Sequence, residues 1–253
     1  MLRPVARVLV TLVLAFHVLL AGVPPASVHG AGEPVIVALG DSLTAGWGVA
    51  PEEAYPALLQ ARLRREGLAF RVVNAGVSGD TSAGGLARLE WTLRTGPAIV
   101  IVALGANDGL RGQPPSATRA NLTAILDRLR ARKVRTLLAG MRMPPNYGAD
   151  YTREYAQVFA DLGARADAFM PFLLDGVAGV PGLNQPDGIH PNAEGHRVIA
   201  ERLWRHLRPL LAGDRATAPA AQPPRGPPQV EGCRAPDRGS RCSLRPVSAP
   251  LTT

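Results

Sequence analysis

Four short segments of this 253-residue chain carry side chains able to act on an acyl carbonyl. Ser42 stands in Gly40-Asp41-Ser42-Leu43, directly after an apolar run. A serine hydroxyl becomes a nucleophile when a neighbouring base takes its proton. His190, in Asp187-Gly188-Ile189-His190-Pro191, is the candidate base. Of the other histidines, His17 and His29 precede the main body, and His196 and His206 fall inside the last helical pattern, where packing or surface roles are the default. Asp187 lies three residues before His190. A tight turn over that span sets a carboxylate beside the imidazole, which fixes its tautomer and stabilises the imidazolium. Asn107, in Gly105-Ala106-Asn107-Asp108-Gly109, and the backbone amide of Gly79, in the run 74–81 (NAGVSGDT), are candidate oxyanion donors. A tetrahedral intermediate concentrates charge on the former carbonyl oxygen, where each preset donor is worth about 3 kcal/mol. Each residue also has an ordinary reading: a turn or cap serine, a loop histidine, an asparagine bonding nearby backbone, a plain glycine turn. Asp41, Asp80 and Asp108 read as braces for these loops.

The elements that must position these residues follow from periodicity. Apolar runs predict strands at 35–39, 70–73, 99–104, 134–139 and 167–171. Helical spacing of apolar residues predicts helices at 55–66, 85–95, 117–132, 152–164 and 193–211, the last with Asn192 as its N-cap. Strands alternating with helices imply parallel pairing through right-handed crossovers. The runs VIVAL and IVIVAL are apolar throughout, as strands covered on both faces are. The expected fold is a three-layer α/β/α sandwich with a flavodoxin-like, five-stranded parallel sheet. Sites in such sheets lie beyond the carboxyl ends of the strands, where three of the four segments fall; the fourth precedes the last helix.

Composition bounds the rest. The net charge is +8, but residues 1–30 hold +2 and residues 215–253 hold +4, leaving +2 for the middle. The basic character therefore belongs mainly to the ends, which argues against nucleic-acid binding by the folded part. The only cysteines, Cys233 and Cys242, stand in the last forty residues. The middle can hold no disulfide, thiolate nucleophile or Cys-ligated zinc. No G-x-S-x-G elbow, P-loop or G-x-G-x-x-G signature is present. Residues 1–30 read as a secretory signal: Arg3 and Arg7, an apolar run too short for a membrane span, then small residues before Ala31. Residues 31–213 read as one domain, and 214–253 as a disordered Pro/Arg-rich tail. Cys233 and Cys242 could pair in an oxidising compartment.

Taken in order, the four segments resemble the blocks of the SGNH (GDSL) hydrolase family: Ser42 in GDSL, Gly79 in NAGVSGDT, Asn107 in GANDG and His190 in DGIHPN. The runs GDSLTAGWGV, NAGVSGDTSAGGLARL, GANDGLRG and MRMPPNYGADY are most similar to the family's periplasmic branch of thioesterases, lysophospholipases and arylesterases. The resemblance covers roughly residues 34–211. It implies an esterase with no cofactor and no metal, with Ser42, Asp187 and His190 as triad and the Ser42 and Gly79 amides plus the Asn107 side chain as oxyanion hole. It also implies that the loop 143–151 borders the acyl groove and can move, with Gly148 as a hinge. One departure is Ala106, where the family often has a second glycine. An alanine fits there if its φ is negative.

The resulting expectation is a periplasmic or secreted monomer that hydrolyses small-molecule acyl esters or thioesters through an acyl-enzyme on Ser42. No nucleic-acid partner is expected, and no membrane span once the signal is removed. Acidification should end activity, because a protonated His190 cannot act as base. A carbohydrate acetylesterase on the same scaffold and a non-catalytic envelope-binding protein are the rival readings.

Overall fold

The computed structural model describes residues 32–214. The leader 1–30, the tail from 215 onward, Cys233 and Cys242 lie outside the described residues. Strands β1 (Val35–Gly40), β2 (Arg71–Gly76), β3 (Pro97–Ala103), β4 (Arg135–Ala139) and β5 (Ala168–Met170) form a parallel sheet in the order β2-β1-β3-β4-β5. This is the flavodoxin-like order, and its switch point lies between β1 and β3.

The helices are α1 (Ser42–Ala45), α2 (Tyr55–Arg65), α3 (Ser82–Ala87), α4 (Leu89–Leu93), α5 (Ala106–Leu110), α6 (Pro115–Ala131), α7 (Ala149–Gly163) and α8 (Ala193–Leu207). α2 packs on α8, and α6 packs on both α3 and α7, giving the two helical layers. Every residue of β1 is buried, as its uniformly apolar run requires. Core side chains such as Leu59, Leu63, Ile101, Leu122, Ile125 and Leu203 come from the apolar stripes read in the sequence. Asn192 caps α8, its Oδ1 accepting the Gly195 amide at 3.0 Å.

Three elements differ from expectation. β2 runs on through Asn74 to Gly76, because parallel pairing with β1 continues that far. The polar Asn74 is accommodated on the exposed edge strand, where its Oδ1 accepts the Gly76 amide and its Nδ2 donates to the Thr44 carbonyl. The helix expected at 85–95 is two short helices broken at Arg88. The closing α-helix ends at Leu207 and passes into a 3₁₀ run, Arg208–Asp214. Among the described residues no helix is long and apolar enough to cross a membrane.

Candidate active site

The site forms where β1 and β3 end. α1 begins at Ser42 and lasts a single turn. Asp41 caps it, Oδ1 accepting the Leu43 amide at 3.0 Å, and Gly46 ends it with φ at +81°. Thr44 pins this turn to the helical layer through a 2.8 Å hydroxyl contact with Tyr55. Ser42 is thus held half-buried at the sheet edge with its hydroxyl free to face the opposite loop.

That loop precedes α8. His190 Nε2 lies 2.9 Å from Ser42 Oγ, and His190 Nδ1 lies 2.7 Å from Asp187 Oδ2. A carboxylate at Nδ1 requires the proton there, so Nε2 offers its lone pair to the serine hydroxyl. Asp187 Oδ1 also accepts the backbone amides of Ile189 and His190, each at 3.0 Å. The His190 amide most of all, then its imidazole and the Ile189 amide, hold the Asp187 carboxyl down to about 2. Gln185 staples the loop: its amide donates to the His190 carbonyl at 2.8 Å, and its side chain donates to the carbonyls of Trp47 and Pro191.

Asn107 sits in α5, facing the same cavity as Ser42 and His190. Its Nδ2 donates to the Asp80 carbonyl at 2.9 Å, while Asp41 Oδ2 is a longer 3.5 Å away. Gly105 turns the chain into α5 with φ at +111°, and a Cβ there would come within 2.9 Å of Phe159 Cζ, so only glycine fits. Ala106 lies within α5 and keeps a negative φ, which meets the condition for replacing a glycine. Gly79 occupies an exposed turn with φ at +81°, closed by the Asp80 amide on the Val77 carbonyl. It is tied to Asn107 through Asp80, its chain neighbour, and to Arg111, which donates to its carbonyl at 2.9 Å. Gly79 does not itself line the cavity, whereas Ser42, Asn107 and His190 do.

The three aspartates expected as braces are placed as such. Buried Asp108 accepts the Ser82 amide at 2.8 Å and joins the Asn107 segment to α3. Asp80 pairs with Arg88 at 2.7 Å. Asp41 is fully buried, and that burial raises its carboxyl to about 6 against the opposing pull of the Leu43 amide and His190.

Several positioning residues have no counterpart in the sequence reading. The Arg88 guanidinium reaches the carbonyls of Gly40 and Ala75 as well as Asp80, gathering the ends of β1 and β2. Tyr147, Tyr151 and Tyr155 form a row along the start of α7 with neighbouring ring centroids 6.1 and 5.6 Å apart. Their hydroxyls donate to the carbonyls of Leu110, of Gly109 and Gln113, and of Gly105, so they clamp the Asn107 segment from one side. Tyr151 and Tyr155, four residues apart, share a face of α7, and that spacing was the available signal; Tyr147 stands in the 3₁₀ turn before the helix.

The cavity measures about 510 Å³. Beyond Ser42, most of its wall is apolar, from Leu43, Leu110, Met141, Met143, Phe172 and Leu174, with Arg142 and Asn184 as polar members. Met143, Pro144 and Pro145 place the start of the loop 143–151 on the cavity wall. Among the described residues no cluster of three or more His, Cys, Asp or Glu side chains is arranged to hold a metal.

A serine hydroxyl bonded to an imidazole that a carboxylate orients, over a mainly apolar slot at the switch point of a parallel sheet, is the arrangement of a serine-dependent carboxylic ester hydrolase. The comparisons narrow the class: the chain belongs to the GDSL-like lipase/acylhydrolase family, whose model matches residues 38–198. It is 44% identical over 183 residues to "Esterase TesA" of Pseudomonas aeruginosa, covering 72% of this chain and 91% of that protein. It is 38% identical over 188 residues to "Thioesterase 1/protease 1/lysophospholipase L1" of Escherichia coli K12, covering 74% of this chain and 89% of that one. The crystal structure of TesA superposes with a TM-score of 0.68 at 44% identity, over 70% of this chain and 99% of that chain.

Proposed function

We propose that Ser42 is the nucleophile of this esterase, His190 its general base and acid, and Asp187 the group that orients His190. Ser42 Oγ attacks the carbonyl carbon of an ester or thioester while its proton passes to His190 Nε2. The imidazolium is stabilised by the Asp187 carboxylate and then protonates the departing alcohol or thiol. Water repeats the sequence on the acyl-enzyme and frees Ser42. Negative charge on the carbonyl oxygen is met by the Ser42 and Gly79 amides and by Asn107 Nδ2, whose second hydrogen has only the long contact to Asp41. The single observation that carries this reading is the continuous Asp187–His190–Ser42 hydrogen-bond chain at the edge of an apolar cavity.

The cavity's walls favour an acyl chain over a sugar, so the substrates are acyl esters, thioesters and lysophospholipids in preference to acetylated carbohydrate. The names of the relatives, esterase and thioesterase/lysophospholipase, support the same range. In this reading the enzyme acts as a monomer on small molecules. Residues 1–30 direct export to the periplasm or beyond, 31–213 carry catalysis, and the tail from 214 is dispensable for turnover. The test is hydrolysis of p-nitrophenyl esters from acetate to palmitate, with an acyl-CoA and a lysophospholipid alongside. Turnover should rise from acetate towards medium chains and fall at least about ten-thousandfold in Ser42→Ala. Undiminished activity in that variant would overturn the assignment, and turnover confined to acetate would turn the substrate reading to carbohydrate esters.

A further inference from the structure

Five large apolar side chains are substantially exposed among the described residues: Trp47, Val77, Trp91, Val180 and Ile189. Three of the five, Trp47, Ile189 and Val180, border the catalytic mouth, and Val77 follows the end of β2 nearby. The Trp47 ring lies 6.3 Å from the His190 ring and is 56% exposed. Ile189 directly precedes His190 and lines the cavity while remaining 46% exposed. Val180 follows Gly179, a cavity-lining residue, in a loop tied down by Asn184. The amide of Val77 donates to the carbonyl of Gly40, two residues before Ser42. Gln185 joins the two sides of the ring by donating to the Trp47 carbonyl. Soluble monomers seldom gather exposed apolar side chains into one patch without a partner for them.

We propose that this collar docks the enzyme on the surface of an anionic phospholipid layer, with Trp47 as the chief anchor. The inference rests on the esterase reading above and specifies how substrate reaches that site. Two features select this occupant. The collar meets the cavity at Ile189, which belongs to both, so an acyl chain moving from a lipid surface to Ser42 passes along a mainly apolar wall. The cations on the same rim suit anionic headgroups. Arg111 is exposed beside Gly79, and Arg142, on the cavity wall, stacks its guanidinium 5.4 Å from the Phe172 ring centroid. Tryptophan is the side chain best suited to a lipid–water boundary, being apolar with one polar edge. Binding of this kind grows with the apolar area inserted and with attraction to anionic lipid.

The test separates docking from catalysis. Binding is measured with full-length Ser42→Ala protein, which leaves the lipid unconsumed, on vesicles of phosphatidylglycerol and of phosphatidylcholine. Catalysis is measured separately as wild-type turnover of soluble p-nitrophenyl butyrate. The expected result is partitioning onto phosphatidylglycerol that exceeds that onto phosphatidylcholine and falls by about tenfold or more on adding Trp47→Ser and Val180→Ser. Trp91→Ser should leave it unchanged. Should the double variant fold poorly, the Ser42→Ala protein carrying Trp91→Phe supplies a second reading. Its emission then comes from exposed Trp47 and buried Trp204; the Trp47 share should shift to the blue on phosphatidylglycerol and be quenched by brominated acyl chains, and adding Trp47→Phe should remove both changes. Absence of vesicle binding, equal binding by the collar variant, or a collar-dependent dimer in sedimentation would overturn the proposal. Loss of butyrate turnover would bear on the catalytic assignment instead.

Discussion

The Tyr155 hydroxyl donates a 2.5 Å hydrogen bond to the carbonyl of Gly105, fifty residues earlier in the chain and two residues before Asn107. The contact is wholly buried, and the same burial pushes the phenol well above its ordinary range, so it remains a donor at any working pH. It joins the one residue whose left-handed backbone aims α5 at the cavity to the helix that covers it.

Tyr155→Phe therefore leaves a buried carbonyl without its tyrosine donor. The Gly109 amide still donates to that carbonyl, so the expected cost is about 0.5–1.5 kcal/mol, read from urea unfolding. Gly105→Ala should cost more, about 2–4 kcal/mol, since the new methyl meets Phe159 and the backbone stays at φ +111°. Both variants should lower kcat more than they raise KM, because they displace Asn107 while most of the acyl wall, Leu43, Met141, Phe172 and Leu174, lies outside α5.

Asn107→Ala tests the oxyanion assignment directly. Loss of one preset donor should reduce kcat by about a hundredfold to a thousandfold, with KM for p-nitrophenyl butyrate little altered. A change confined to KM would show that Asn107 holds substrate and does not meet the developing charge.

Arg88 joins three carbonyl or carboxylate groups from β1, β2 and the Gly79 turn. Arg88→Ala leaves Asp80 largely buried without its partner and should destabilise the protein by about 3–5 kcal/mol. Arg88→Lys should recover only part of this, since a single ammonium cannot present the planar fork to three acceptors. Thermal unfolding of the three proteins side by side checks the order.

Two buried groups set opposing pH dependences. Burial lowers His196 to about 4 from 6.5, and its Nδ1 accepts the Tyr55 amide at 3.3 Å. A depressed histidine contributes stability above its unfolded value that is lost as pH falls from 6.5 through 4. Asp41, raised from 3.8 to about 6, contributes stability below 3.8 that is lost as pH rises through 6. Each effect is worth about 3 kcal/mol, and between pH 4 and 6 they cancel. Chemical unfolding should thus show little slope from these groups in the native chain. His196→Gln should make stability fall with rising pH in that window, and Asp41→Asn should make it rise. Like slopes in both variants would contradict the assignment.

Ser42, Asn107, Asp187 and His190 were legible because their chemistry is local. Ser42 and Asn107 stand just past an apolar strand, and Asp187 and His190 lie within one turn of each other. The strands were legible from their apolar runs, except at β2, where Asn74 satisfies its own neighbours on an open edge and reads as loop. Arg88 was hidden inside a helical pattern, since nothing in its surroundings marks a cation that turns inward. His196 reads as a packing or surface residue; it is buried, and its partner Tyr55 is 141 residues away. The tyrosines at 147, 151 and 155 carry no sign in the sequence of which carbonyls they meet. Long-range polar pairing leaves no period in the chain, and it is what brings the local motifs into register.

His190 and Asp187 occupy a single stapled turn, whereas Ser42, to which His190 is bonded, stands 148 residues earlier. Synthesis therefore delivers the proposed nucleophile early and its proposed base only near the end of the described domain. In the proposed mechanism, a nascent or cleaved chain lacking the segment before α8 carries a serine without its base, however well its first strands have paired. α8, which follows that loop, packs on α2 from the first half of the domain. The proposed activity therefore belongs to the folded domain as a whole and to no shorter piece of it.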